Sequence, residues 1–128
     1  MKKTILLADD DPEMRAEISD ILKDEGYTVL TAADGMEAVD TLKKHNVNLL
    51  LIDLKMPVMN GYEVLRGLEK EHIRVKTIVL TASIIVPSMP DEISISYEEK
   101  KKVLKLADAV LNKPVDMAML VEKIKGLV

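Results

Sequence analysis

The segment Asn48-Leu-Leu-Leu-Ile-Asp53 constrains this chain more than any other. Four consecutive apolar residues without polar alternation fit a strand buried on both faces, as in the middle of a parallel sheet. Such a strand needs helices on either side of it, and the rest of the sequence supplies them. Thr4 to Ala8 is a second unbroken apolar run, and it ends in acids. Asp11 and Pro12 then open a helix as N-cap and first helical residue, with Met14, Ile18, Ile21 and Leu22 on one face and Gly26 as its stop. Tyr27 to Thr31 reads as a strand, and Asp34 caps a helix with Ala38, Val39 and Leu42 turned inward.

The pattern repeats beyond the central strand. Asn60-Gly61 leads a third helix with Val64, Leu65 and Leu68 inward, and Lys76 to Leu80 is a fourth strand. Glu98 to Leu106 is helical, Ala109 to Leu111 is a short fifth strand, and Asp116 caps a last helix with Leu120, Val121, Ile124 and Leu127 inward. Five β-then-α repeats predict an α/β fold, a doubly wound parallel sheet with helices on both faces. At 128 residues the length suits a single domain spanning residues 1–128.

Composition narrows the function classes. The chain has no cysteine, which excludes disulfides, thiolate metal sites and a cysteine nucleophile. A net charge of −4 argues against direct nucleic-acid binding. The basic cluster Lys100-Lys101-Lys102 with Lys105 follows Glu98-Glu99 and reads as a solvated helix face. The apolar run after Lys2-Lys3 is too short for a leader and is cut by Asp9-Asp10-Asp11, and no stretch reaches membrane-spanning length. A cytoplasmic protein with no membrane insertion is the expectation.

In an open α/β sheet, functional groups gather beyond the carboxyl ends of the strands. Here the first strand ends in Asp9-Asp10-Asp11, the third in Asp53, the fourth in Thr81 and the fifth in Lys113. Several carboxylates brought close together stay ionised only when a cation joins them, and hard oxygen donors favour magnesium. A lysine and a hydroxyl opposite them suit the equatorial oxygens of a phosphoryl group, and a carboxylate can itself attack phosphorus. Each feature has a plainer reading by itself. Three acids before a helix make a favourable cap, an Asp closing a strand is a common turn residue, and Lys113-Pro114 is a loop signal. Coincidence at four strand ends is harder to sustain, which favours Asp53 as nucleophile, Asp9 and Asp10 as metal ligands, and Thr81 and Lys113 as oxyanion partners.

The segments Ile5 to Pro12, Leu51-Ile-Asp-Leu-Lys-Met-Pro57 with Asn60-Gly61, Leu80-Thr81-Ala82 and Asn112-Lys113-Pro114 together resemble the receiver domains of two-component signalling. The resemblance covers essentially the whole chain. It implies a flavodoxin-like sheet of order 2-1-3-4-5 and a phosphoryl group accepted on Asp53 from a sensor histidine kinase or a histidine phosphotransfer protein. It further implies Mg2+ held by Asp9, Asp10, Asp53 and the Lys55 backbone carbonyl, Thr81 and Lys113 closing on the phosphoryl group, and a cis Lys113-Pro114 bond. A regulator made of this domain alone would then act on an unidentified target protein by docking, or as a homodimer through the face of the fourth helix, fifth strand and fifth helix. It would be no enzyme, but a switch that assists its own phosphorylation and dephosphorylation.

Two features depart from that family. The aromatic residue usual three positions before the Lys-Pro lysine is Val110 here, which is expected to fill core space, and the chain has no Phe or Trp. Thr81 and Lys113 are 32 positions apart, more than the family pattern implies. The surplus lies in Ser83 to Tyr97, where Pro87 and Pro90 break any helix and Ile93, Ile95 and Tyr97 alternate with serines as in an edge strand. This atypical extension between the fourth strand and fourth helix is read as a partner-specific surface or a flap over the site, against a tolerated insertion. A phosphorylation-independent interaction module is the competing function. A phosphatase of the haloacid dehalogenase type is disfavoured because Lys55 stands where the second acid is needed, and a flavin protein because acids replace the phosphate-cradling loop after the first strand. Hydrogen exchange with and without a phosphoryl mimic distinguishes the flap from the insertion: protection that changes across Ala82 to Tyr97 is expected for a flap, and unchanged protection for an insertion.

Overall fold

The computed structural model describes residues 2–82 and 96–128. Ten elements alternate along the chain: β1 (Thr4–Ala8), α1 (Pro12–Asp24), β2 (Thr28–Ala32), α2 (Gly35–Lys44), β3 (Leu49–Asp53), α3 (Gly61–Lys70), β4 (Lys76–Thr81), α4 (Tyr97–Leu104), β5 (Ala109–Asn112) and α5 (Met117–Leu127). All strands pair in parallel, in the order β2-β1-β3-β4-β5, so the fold is the flavodoxin-like arrangement the resemblance implied. The Lys113-Pro114 bond is cis. The edge-strand and flap readings of the long β4–α4 segment fall largely on residues 83–95, outside the described residues; the edge strand does not extend to Tyr97, because Ser96 caps α4 and Tyr97 begins it.

The central strands explain themselves. Every residue of β3 is buried, and Ile5 to Ala8 of β1 are as well. Because side chains alternate along a strand, each strand serves two cores. Leu6, Leu50, Ile52 and Val79 pack against Ala38, Leu42, Val64, Leu65, Leu68 and Val103 of α2, α3 and α4. Ile5, Leu7, Leu49, Leu51, Ile78 and Leu80 pack on the other face against Ile18, Leu22, Leu120 and Ile124 of α1 and α5.

Each helix begins at a side-chain cap that satisfies otherwise orphaned backbone N–H groups. Asp11, Asp34, Ser96 and Asp116 accept from the first-turn amides of α1, α2, α4 and α5. Asn60 and Glu63 form a reciprocal capping box at α3. The ends of α1 and α3 share one geometry. The Tyr27 N–H reaches back to the Leu22 carbonyl and the Gly26 N–H to Lys23, just as Ile73 and His72 reach Leu68 and Glu69. The residue that makes this turn must adopt positive φ: Gly26 does so at 97° without a Cβ to clash, whereas His72 does so at 56° with one.

Two sequence expectations are corrected here. Val110 does not fill core space. It is 42% exposed, because β5 is an edge strand whose inward residues are Ala109 and Leu111. Lys100 does not lie on a solvated face. It is 7% exposed, its Nζ 6.0 Å from the centre of the buried Tyr62 ring. Next to it, Arg66 Nη2 and Glu99 Oε1 form a 2.6 Å ion pair, so α4 is joined to α3 by charged groups flanking the apolar anchor Val103.

Replacing the exposed His72 by glycine removes the penalty for left-handed backbone. His72→Gly is expected to stabilise the fold by about 1 kcal/mol in urea denaturation, with the slope against denaturant unchanged.

Candidate functional site

The strand registers bring the chemistry together. Ala8 pairs with Ile52, Asp53 with Leu80, and Thr81 with Asn112. One step beyond these partners, Asp9, Asp53, Thr81 and Lys113 therefore collect at the same edge of the sheet. Thr31-Ala32-Ala33, at the end of β2, adds no chemistry there, as its composition suggested.

Lys113 is the centre of this arrangement. Its Nζ donates to Asp9 Oδ2 at 3.0 Å and to Asp53 Oδ2 at 3.2 Å. Asp9 is fully buried and Asp53 is 7% exposed, so both acids are largely withdrawn from water. The remaining Asp9 carboxylate oxygen, Oδ1, accepts the Asp11 N–H at 3.0 Å, and Asp53 Oδ1 accepts the Lys55 N–H at 3.3 Å. The Lys55 peptide, expected to add a carbonyl ligand, thus adjoins the Asp53 carboxylate. Thr81 is buried at the end of β4, where its carbonyl accepts the Lys113 N–H at 2.8 Å.

The loop after β3 is under local strain. The Met59 N–H donates to the Pro57 carbonyl at 2.7 Å, closing a three-residue turn around Val58 at φ 68°. A β-branched residue rarely takes that conformation. The turn carries the chain from Asp53 back to the start of α3, where Gly61 packs directly beneath the site. A Cβ on Gly61 would lie 2.6 Å from the Asp53 carbonyl oxygen and 2.7 Å from Leu54 Cα, closer than backbone tolerates. Sequence reading assigned Gly61 only to the helix start, and this close approach is its further role.

Electrostatics follow from burial and charge. Burial raises the Asp53 carboxyl above its ordinary value of 3.8; the Lys113 charge opposes that shift and the Asp9 charge adds to it. Burial disfavours the Lys113 ammonium, but its hydrogen bond to Asp9 and the charges of Asp53 and Asp9 outweigh that, so its affinity for the proton rises above the ordinary 10.5. Asp9, Asp10 and Asp53 can each bring one carboxylate oxygen within 4.8 Å of the others. One ammonium cannot neutralise three carboxylates. The all-oxygen donor set and the surplus negative charge fit a hard divalent cation such as magnesium.

Sequence reading missed Arg15. Its Nη1 donates to the Asp9 backbone carbonyl at 2.7 Å. A signal was present: a cation in the opening turns of a helix opposes the helix dipole and calls for a specific partner.

Because the folded-state pKa of Asp53 lies above its unfolded value, ionising it costs stability. Stability is full below the ordinary value and is lost as pH rises through the elevated one. Asp53→Asn removes that loss. The variant is expected to melt higher than the unsubstituted protein at pH 7 in metal-free buffer, with the gain shrinking as pH falls toward 3.8, as read by thermal denaturation across pH.

Comparison with known proteins matches the geometry. The family model described as the response regulator receiver domain matches residues 5–125. Response regulator RR06 of Streptococcus pneumoniae is 35% identical over 125 residues, covering 97% of this chain and 52% of its own length. The chain thus spans about half the length of that curated relative. Among solved structures, a CheY-like receiver domain protein from Methanospirillum hungatei superposes with a TM-score of 0.82 at 34% identity, over 98% of this chain and 93% of that one. The response regulator TrrA of Thermotoga maritima, in complex with Mg(2+)-BeF, superposes with a TM-score of 0.80 at 31% identity, over 98% and 99% of the two chains. The family model covers nearly the whole chain, and the chain belongs to the response regulator receiver domain family.

Proposed function

We propose that this domain is a phosphorylation-controlled switch that takes a phosphoryl group onto Asp53 in a magnesium-dependent reaction and thereby changes its partner binding. The observation that carries the reading is the Lys113 ammonium held between Asp9 and Asp53 at 3.0 and 3.2 Å in a largely dry pocket. A cation so placed compensates a nucleophilic carboxylate at rest and serves an incoming phosphoryl group afterwards.

In the transfer, a carboxylate oxygen of Asp53 forms a bond to phosphorus. The P–N bond of a donor phosphohistidine breaks, and its electron pair leaves with the imidazole nitrogen, which takes a proton. The product is an acyl phosphate on Asp53. Charge on the moving group is spread over three equatorial oxygens. Lys113 would supply the charged donor to one of them, and the Thr81 hydroxyl a neutral donor to another. Asp9, Asp10, Asp53 and the Lys55 carbonyl would hold Mg2+, which when bound offsets the carboxylate charge and that of the phosphoryl oxygens. The magnesium–beryllofluoride complex of the similar TrrA structure supports this reading. The domain acts on itself and is not a turnover enzyme in this scheme.

A sensor histidine kinase or a histidine phosphotransfer protein is the proposed donor, with cytoplasmic location as part of the same reading. Among the described residues no helix is long and apolar enough to cross a membrane. The output is proposed to pass through the α4–β5–α5 face, to a target protein or to a second copy. Leu106, Val110 and Met119, on or next to these three elements, are large apolar side chains left exposed.

Intact-mass measurement after incubation with acetyl phosphate tests the proposal. The expected result is a gain of one phosphoryl mass that requires magnesium and is absent in Asp53→Asn. A chain that gains no mass from acetyl phosphate or from a panel of phosphorylated kinases would sink it and leave a phosphorylation-independent docking module.

A further inference from the structure

We infer that Arg15 is a positioning residue for the magnesium site, acting through the backbone to aim Asp10. This rests on the proposed magnesium reading of the site. The two acids after β1 are held very differently. Every polar group of Asp9 is engaged: its N–H donates to the Ala32 carbonyl at 3.1 Å, its carboxylate takes Lys113 and the Asp11 N–H, and its carbonyl takes Arg15. Asp10 is exposed, and among the described residues its carboxylate has no hydrogen-bond or ion-pair partner. Yet one of its oxygens lies within 4.8 Å of those of Asp9 and Asp53.

With its side chain unrestrained, Asp10 is aimed by its backbone. The peptide unit that enters it is built from the Asp9 carbonyl, and the group that fixes that carbonyl is the Arg15 guanidinium at 2.7 Å. This is a short, charge-assisted bond, stronger than a neutral one. It bridges the end of β1 to the second turn of α1, while the Asp11 cap holds the start of the same helix. Arg15 thus completes a frame in which the Asp9–Asp10 peptide cannot rotate freely. Groups that orient metal ligands typically change metal affinity by about 10–100-fold when removed. Two effects compete on loss of Arg15: a freed carbonyl weakens the site, and one less cation strengthens it. The guanidinium is bonded to the peptide of a ligand, so the positional effect dominates.

Calorimetric titration of the intact chain with magnesium chloride, at a pH where all variants are folded by circular dichroism, tests the inference. Arg15→Met is expected to weaken magnesium binding by about tenfold, and Arg15→Lys, which keeps a charged donor, to restore most of it. In an Asp10→Asn background, Arg15→Met is expected to have little further effect, because both changes act on the same ligand. Should Arg15→Met fail to fold, Arg15→Gln replaces it in the same cycle. Unchanged or tighter binding on loss of Arg15, or an equal loss with and without Asp10, overturns the positioning role. Absence of binding by the unsubstituted chain instead overturns the magnesium reading on which it rests.

Discussion

Two carboxylates at the ends of adjacent buried strands repel each other, and this repulsion organises the site. Asp9 and Asp53 sit where water cannot screen them. Left alone, Asp9 would push the Asp53 carboxyl still further toward its protonated form. Lys113 prevents that by donating to both, and it can do so because β5 lies on the far side of β4 and turns back at the same edge of the sheet. The compensation is partial, since burial and Asp9 still hold the Asp53 carboxyl above its ordinary range. A buried carboxylate kept slightly uncomfortable at rest has a built-in reason to welcome a cation.

The elements and the site members were legible in the sequence because both derive from local patterns. Unbroken apolar runs mark parallel strands, and the polar residue that ends each run marks the functional edge. The order of the strands was legible only through family resemblance, since right-handed crossovers permit more than one order. Side chains whose environment depends on a neighbouring element were misread. Lys100 belongs by composition to a run of surface lysines, yet it is buried with its ammonium over the Tyr62 ring of α3. Val110 is apolar in a strand and was expected inside, but β5 forms the sheet edge and that position faces outward. The tight contact of Gly61 with the Asp53 backbone likewise depends on how α3 packs, which no spacing reveals.

The outward Val110 and the buried Lys100 bear on how a change at the site would reach the surface under the proposed function. With Val110 outside and no Phe or Trp anywhere, an aromatic ring swinging behind the threonine is not available at β5. Beside the apolar anchor Val103, α4 is tied to α3 by polar contacts: an ion pair between Arg66 and Glu99, and an ammonium over the Tyr62 ring. Tyr62 belongs to the first turn of α3, which begins at the glycine packed under Asp53. The acceptor strand, α3 and α4 therefore form one contiguous series of contacts.

The bond between Asp9 and Lys113 joins residues 104 positions apart. On a ribosome Asp9, Asp10 and Asp53 emerge long before their counter-ion. Until β5 docks at the sheet edge, the acids lack the ammonium that compensates them. Charge compensation in the pocket is therefore complete only when the last strand is in place.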